Sequence, residues 1–66
     1  RDAPLLIPLL SDPDAWVRKN SALSLMKLRA TSSIKALQDR IDKEEDKIVL
    51  NVLELAINQI NKTTNN

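Results

Sequence analysis

The chain has 66 residues, a net charge of +1 at pH 7, and neither cysteine nor histidine. A chain of this length forms one small domain that buries only about 60% of its unfolded surface. Without cysteine the chain can form neither disulfides nor thiolate metal sites. Without histidine it lacks the commonest general base and metal ligand. A net charge near zero does not favour binding to nucleic acid or to a membrane surface.

Apolar residues recur at helical spacing throughout, and the chain contains no glycine, which disfavours tight β-hairpins. The sequence therefore predicts an all-α fold. The first helix is expected over residues 4–10 with a kink at Pro8, which cannot donate a backbone hydrogen bond. Asp12 is expected to cap the second helix, with Pro13 in its first position and an end near residue 28.

A short link over residues 29–32 follows, in which Thr31 or Ser32 is expected to cap a third helix over residues 33–41. Residues 42–44 then connect to a fourth helix. Because both links are short, sequential helices should be antiparallel neighbours. The predicted architecture is two stacked αα-hairpins.

The fourth helix is expected to hold Glu45 and Asp46 in its first turn, where the helix dipole favours acids. It should end near Ile60 or Asn61. The remaining residues, 62–66, are polar and are expected to form a disordered tail.

The pattern of apolar residues repeats after 32 residues. The shift places Leu5 on Leu37, Leu9 on Ile41, Trp16 on Ile48, Val17 on Val49, Leu25 on Ile57 and Leu28 on Ile60. Such a period is typical of a helical solenoid, here with repeats at about 4–30 and 31–61 in a domain over 1–61. The period argues against the alternative, a plain four-helix bundle. Since roughly three or more repeats are usually needed for stability, and the chain begins at Arg1, we expect a fragment of a longer solenoid.

The first unit carries a distinctive series of residues: Leu9-Leu10, Asp12-Pro13-Asp14, Val17-Arg18, then Ser21, Ser24, Leu25 and Leu28. This series resembles the short HEAT-type repeats named after phycobilisome lyases. The second unit is degenerate, with Glu44-Glu45-Asp46 at the turn and Leu50 in place of the arginine. The resemblance implies that Arg18 forms an exposed, weak ion pair with Glu44 or Asp46; the alternative is a solvated arginine.

Helical-wheel positions assign one stripe of each second helix to the core: Val17, Ser21, Ser24 and Leu28, and Val49, Leu53, Ala56 and Ile60. Stacking Leu25 against Val52 would leave Asn20 and Lys27 facing water. It would also leave Leu50 and Ile57 on an open apolar edge. We expect another repeat, another chain or self-association there.

In HEAT-like solenoids the second helices line the concave surface, and the residues placed there are Lys19, Ala22, Leu23, Met26, Asn51, Glu54, Leu55 and Asn58. Leu23, Met26 and Leu55 would form a small apolar groove; scattered surface leucines are the alternative. Trp16, the only aromatic residue, is expected to plug the hairpin end, or else to be a binding hot spot. The candidate partner-binding residues are Trp16, Lys19, Leu23, Met26, Leu55 and Asn58.

Capping and the helix dipole account for the clustered acids, so no catalytic, cofactor-binding or metal residue is predicted and the chain is not expected to be an enzyme. The leading hypothesis is a cytoplasmic, noncatalytic protein-interaction or scaffold module for an unidentified protein partner. The resemblance implies a subunit or chaperone related to phycobilisome bilin lyases. The alternatives are a structural terminal fragment of a longer solenoid and a nucleic-acid-binding HEAT-like domain, which the balance of acids and bases disfavours.

Overall fold

The computed structural model describes residues 3–64, and this part of the chain is all-helical. Its elements are α1 (Ala3–Leu6), a 3-10 helix (Ile7–Ser11), α2 (Ala15–Lys27), a second 3-10 helix (Thr31–Ser33), α3 (Ile34–Ile41) and α4 (Lys47–Thr64). α1 and the first 3-10 helix pack against α2, α3 packs against α4, and the most extensive contact joins α2 to α4. The predicted short α-solenoid of two stacked αα-hairpins is confirmed.

The first helix changes geometry where Pro8 enters it. α1 ends at Leu6, and Pro8 is the second residue of the 3-10 helix that follows. Because proline has no N–H, it cannot continue the α-helical hydrogen-bond ladder. The predicted kink therefore takes the form of a change from α-helix to 3-10 helix.

The start of α2 is set by Asp14 and not by Asp12. The Asp14 carboxylate accepts a hydrogen bond from the Trp16 N–H at 2.9 Å, as an N-cap does. The Asp12 carboxylate accepts the Asp14 N–H at 2.8 Å and so shapes the preceding turn. The prediction of Asp12 as cap and Pro13 as first helical residue is therefore wrong. Both aspartates are residues that can cap a helix, but only Asp14 directly precedes Ala15, where α2 begins.

α2 ends near residue 28, as predicted, in a backbone motif that normally uses glycine. Arg29 has a φ of 51°, in the left-handed region. Its N–H donates to the Met26 carbonyl at 3.0 Å, and the Ala30 N–H donates to the Leu25 carbonyl at 3.2 Å. This pair of bonds is the Schellman motif, which satisfies the last carbonyls of the helix.

The predicted caps of the third helix are wrong. Thr31 and Ser32 lie within the second 3-10 helix, and Ser33 is the residue that precedes α3. The Ser33 hydroxyl donates back to the Ala30 carbonyl at 2.6 Å and does not cap the helix. The Ser33 hydroxyl therefore stabilises the turn rather than the start of α3.

α4 begins one residue after its cap. The Asp46 carboxylate accepts the Ile48 and Val49 N–H groups at 2.9 and 3.1 Å, which is the geometry of an N-cap. The prediction that Glu45 and Asp46 occupy the first helical turn is wrong, since both precede Lys47, where the helix starts.

The far end of α4 also differs from the prediction. The helix continues to Thr64, beyond the expected end at Ile60 or Asn61. Residues 62–64 of the predicted tail are therefore helical, because each adds one backbone hydrogen bond to a helix that is already nucleated. The rest of the predicted tail, Asn65 and Asn66, lies outside the described residues.

One apolar core joins the two hairpins, and its buried residues are Ala3, Leu10, Ala22, Leu25, Leu37, Val49, Leu53, Ala56 and Ile60. The stripe predicted on α4 is buried throughout. Side chains of α1, the first 3-10 helix, α2, α3 and α4 thus bury one another in a single core that the two hairpins share.

The stripe predicted on α2 is displaced. Ser21 is buried, but Val17 and Ser24 are half-buried and Leu28 is exposed. Ala22, which the sequence pattern predicts on the concave face, is completely buried, and so is Leu25. The reason is that α2 contacts α4 as well as the first 3-10 helix, so its buried arc turns toward the second hairpin.

Candidate protein-interaction groove

Arg18 ties the two hairpins together through a buried carboxylate in the loop between α3 and α4. Arg18 Nε donates to Glu44 Oε1 at 2.8 Å, and Nη2 donates to Oε2 at 2.9 Å. Arg18 Nη1 also donates to the Asp12 and Pro13 carbonyls at 2.8 and 3.1 Å. The predicted contact with Glu44 is confirmed. The expectation of an exposed pair is wrong, because the two side chains are 13% and 0% exposed.

The Glu44 carboxylate accepts two further hydrogen bonds. Arg40 Nε donates to Oε1 and the Asp46 N–H donates to Oε2, each at 3.1 Å. Burial alone would raise the pKa of Glu44, but the hydrogen bonds from Arg18, the Asp46 N–H and Arg40 outweigh it and lower that pKa. The hydrogen bond with Glu44 in turn raises the pKa of Arg18. Both groups stay charged, so the loop before α4 is fixed to the start of α2.

This connection sets the second helices side by side and parallel, with a groove between them that we call the α2–α4 groove. Residues at the two helix starts line one end of it: Ala15, Trp16, Lys19, Asp46, Ile48 and Val49. Residues further along both helices line the other end: Met26, Lys27, Arg29, Leu55 and Gln59. Spacings of three and four residues keep each set on one helix face.

The start of the groove exposes large apolar side chains. Trp16 is 65% exposed and Ile48 is 66% exposed. Lys19 Nζ lies 3.9 Å from the centroid of the Trp16 ring, which is a cation–π contact. This contact orients the indole while leaving most of it open to a partner. The prediction that Trp16 plugs the hairpin end is wrong, because the side chain lies outside the core.

The other end of the groove is apolar at its base and basic at its rim. Met26 packs against the core, and Leu55 is exposed beside it. Lys27, Arg29 and Gln59 complete the lining. The left-handed backbone of Arg29 costs about 1 kcal/mol relative to glycine, and it directs a cationic side chain toward the groove.

The structure thus brings together some of the candidate residues and separates others. Trp16 and Lys19 meet at one end, and Met26 and Leu55 meet at the other. Leu23 is half-buried and Asn58 is exposed, and both lie outside the two linings. The expected apolar groove of Leu23, Met26 and Leu55 therefore loses its first member.

Sequence reasoning missed Ile48 and Arg29 as groove residues. The 32-residue register pairs Ile48 with Trp16, and that pairing was a usable signal for a shared position. The position of Arg29 follows from the Schellman turn, which has no sequence signature when glycine is absent. Arg40 was also missed, although it precedes Glu44 by four residues at the end of α3.

The predicted open edge, Leu50 and Ile57, lies along one face of α4. Both residues are half-buried, and Ile57 packs against the core. Exposed Glu54 shares their face at helical spacing. Because a glutamate lies between the two aliphatic side chains, this edge is less apolar than the helical-wheel positions predicted.

Three of the acidic residues have structural roles. Asp14 and Asp46 cap helices and Glu44 accepts the arginines. Within residues 3–64 no group of three or more histidine, cysteine, aspartate or glutamate side chains could hold a metal ion. Over the same residues, no helix combines the length and apolar content needed to cross a bilayer.

A family model for HEAT repeats matches residues 2–58, nearly the whole chain. The all-helical solenoid agrees with that match. The chain therefore belongs to the HEAT-repeat family. No solved structure gives a significant match.

A curated relative narrows the comparison. The chain is 48% identical over 54 residues to the bilin biosynthesis protein MpeU of Synechococcus sp. strain WH8020. The match covers 82% of this chain and 18% of MpeU. The chain thus spans about a fifth of the relative that it matches, and the similarity agrees with the resemblance of its first unit to repeats of the phycobilisome-lyase type.

Proposed function

We propose that this chain is a noncatalytic protein-interaction module whose α2–α4 groove binds a phycobiliprotein subunit, the protein to which a bilin is attached. The observation that carries the proposal is the exposure of Trp16 beside Ile48 at the start of the groove. Tryptophan is the residue type most enriched among binding hot spots. A lone tryptophan outside the core of so small a domain has no role in packing, whereas a partner would bury it.

The groove offers a partner two anchor points on a rigid support. Trp16 and Ile48 form one point, and Met26 and Leu55 form the other. Methionine and aliphatic side chains suit surfaces that adapt to a partner. The basic rim at the second point favours acidic residues on the partner. The candidates Leu23 and Asn58 would contribute outside the two anchor points.

The similarity to MpeU supports the choice of partner. That relative is named for bilin biosynthesis, and the first unit resembles repeats of phycobilisome lyases. Asp14 and Asp46 serve as helix caps and Glu44 as an ion-pair partner, which supports a role in holding a partner rather than in chemistry. The chain would then act as a subunit or chaperone for bilin attachment, with the reaction carried out elsewhere.

The test uses Trp16 as its own reporter, since it is the only aromatic residue of the chain. A tryptophan-free phycobiliprotein subunit, with and without bilin, is titrated into the chain while indole emission is followed. Binding in the groove should shift the emission to the blue. Leu55→Glu, shown by circular dichroism to fold, should weaken binding at least about tenfold, the range of a hot spot. Trp16→Ala removes the reporter, so its binding is measured by isothermal titration calorimetry, beside the parent chain, and should weaken by at least as much.

Leu5→Glu is the matched control, because it makes the same change as Leu55→Glu at an exposed leucine outside the groove. It should bind like the parent chain. Equal loss of binding with Leu5→Glu and Leu55→Glu would contradict the groove as the binding surface. Failure of the parent chain to bind either form of the subunit would contradict the proposed class of partner.

A further inference from the structure

The charges that line the α2–α4 groove are distributed unevenly along it. At the start of the groove, Lys19 and Asp46 balance each other, and each has a contact of its own: Lys19 lies over the Trp16 ring, and Asp46 caps α4. Among residues 3–64, the other end is lined by Lys27 and Arg29 and by no acid. The groove is therefore electrically balanced at its start and positively charged at its other end.

Lys62 adds a third cation beyond the two that line the groove. It lies in the last turn of α4 and is exposed. It follows Leu55 by seven residues and so shares its helix face. We call Lys27, Arg29 and Lys62 the basic end of the groove. Arg29 occupies a left-handed position where glycine is usual, so the chain keeps a cation there despite the backbone cost.

The floor of the groove is apolar. Ile48 and Val49 line its start, and Met26 and Leu55 line its other end. These side chains offer no hydrogen bond to a peptide backbone. An extended segment laid over them would leave buried N–H and C=O groups without partners, whereas an α-helix satisfies those groups within itself. The floor therefore favours a helical segment over an extended one.

The distance between the two anchor points also suits a helix. Ile48 precedes Leu55 by seven residues and Trp16 precedes Met26 by ten. These spacings correspond to about 10 Å along α4 and about 15 Å along α2. A helix laid along the groove covers this distance in about two to three turns. It then directs apolar residues at i, i+4, i+7 and i+11 toward both anchor points.

The charge distribution decides which way such a helix runs. Acidic side chains are favoured in the first turn of a helix, because the N-terminus carries the positive end of the macrodipole. A helix that begins over the basic end therefore satisfies its own preference and that of the groove together. It runs antiparallel to α2 and α4, and its last turns lie over Trp16 and Ile48.

We propose that the α2–α4 groove binds an amphipathic helix whose first turn is acidic and whose axis runs antiparallel to α2 and α4. The inference rests on the proposed function, because it names the kind of segment that the groove takes from the phycobiliprotein subunit. It assigns the three cations of the basic end to the recognition of that segment and of its direction.

The test uses three synthetic peptides without tryptophan, so that Trp16 again reports binding. Each has blocked termini, which removes the terminal charges, and is about 18 residues long, or about 27 Å as a helix. All share one alanine-rich composition. The first has leucines at helical spacing and glutamates in its first turn. The second moves the glutamates to the last turn, and the third keeps them in the first turn but places the leucines at alternate positions.

The first peptide should bind most tightly. Its affinity should exceed that of the second at least about tenfold, the effect of about three exposed ion pairs taken together. It should exceed that of the third by at least as much, because alternate leucines do not form one face of a helix. The preference over the second peptide should shrink in about 0.5 M NaCl, since salt screens exposed pairs.

Two variants of equal net charge isolate the basic end. The variant that neutralises it carries Lys27→Gln, Arg29→Gln and Lys62→Gln. Its control changes exposed lysines outside the two groove linings and carries Lys35→Gln, Lys43→Gln and Lys47→Gln. Both are checked for folding by circular dichroism. The first variant should bind the first two peptides more nearly equally, and the control should keep the preference of the parent chain. Differences in the helicity of the peptides themselves affect every chain alike.

Two results would overturn the inference. One is a parent chain that binds the second or third peptide as tightly as the first, or that binds none of them. The other is an equal effect of the two variants on the preference. The proposed function fails by a different result, the absence of binding to the phycobiliprotein subunit. A subunit that shifts the Trp16 emission, beside peptides that show no preference, would remove the helix and its direction but leave the proposed partner in place.

Discussion

Arg18 and Glu44 lie 26 residues apart in the chain and meet through two parallel hydrogen bonds of 2.8 and 2.9 Å. One residue belongs to the first hairpin and the other to the loop that begins α4. The planar guanidinium matches both carboxylate oxygens at once, which fixes orientation as well as distance. The pair therefore decides how the second helices align, and through them the shape of the groove.

Replacing Glu44 should destabilise the chain measurably. Glu44→Gln leaves two guanidinium groups, those of Arg18 and Arg40, without their carboxylate. The loss should exceed that of an exposed ion pair, because the Glu44 carboxylate is buried. Urea unfolding followed by circular dichroism measures it.

The control for this variant is Asp39→Asn, which breaks the exposed ion pair of Lys35 and Asp39. Exposed pairs of this kind contribute little, so the urea midpoint should stay near that of the parent. If both variants unfold at the same midpoint, the burial of Glu44 has no energetic consequence.

Stability should fall with acid through Glu44. Its pKa is lowered in the folded chain from an ordinary value of 4.5, so the unfolded chain binds a proton more readily than the folded chain. The stabilisation is therefore present above pH 4.5 and is lost as the pH falls through the lower, folded pKa. Melting temperatures between pH 7 and pH 2 should decline below about pH 4.5.

Glu44→Gln has no proton to bind at this position, so its melting temperature should decline less over the same acid range than that of the parent chain. A parent and a variant with identical slopes would show that another group carries the acid sensitivity.

The Asp46 cap should contribute to stability in addition to the ion cluster of Arg18, Arg40 and Glu44. Asp46→Ala removes two hydrogen bonds to the start of α4 and should cost about 1 kcal/mol, the usual effect of losing an N-cap. Asp42→Ala removes an exposed acid from the same loop and should be close to neutral. Equal unfolding midpoints for the two variants would rule out a capping role.

Glycine at position 29 should stabilise the chain. Arg29 holds a φ of 51°, and relief of that conformation by Arg29→Gly should raise the free energy of unfolding by about 1 kcal/mol. Arg29→Ala removes the same charge but keeps the Cβ that causes the strain, so it should give no such gain. Thermal melts of the three chains separate the backbone effect from the effect of charge.

Sequence alone predicted the second hairpin better than the first. On α4 the aliphatic residues Val49, Leu53 and Ile60 fall on one face, and the buried side follows directly from their spacing. On α2 small and apolar residues surround the helix, so spacing could not choose between Ser24 and Ala22. That choice depends on the contact with α4, which is a property of the assembled solenoid.

The ion cluster of Arg18, Arg40 and Glu44 could also be predicted only in part from the sequence. The resemblance to HEAT-type repeats indicated the partner of Arg18 correctly, but not its environment. Glu44 is buried because Arg18, Arg40 and the Asp46 backbone enclose its carboxylate. Three segments must meet before that burial exists, and their meeting cannot be read from the charge of one loop.

The position of the cluster also has a kinetic consequence. Each hairpin forms from residues near one another in sequence, whereas Arg18 and Glu44 must close a segment of 26 residues between the hairpins. Closing longer segments costs more chain entropy, so local contacts form first. An interaction made after the transition state slows unfolding without speeding folding. We therefore expect Glu44 to govern the lifetime of the folded chain more than the time the chain takes to reach it.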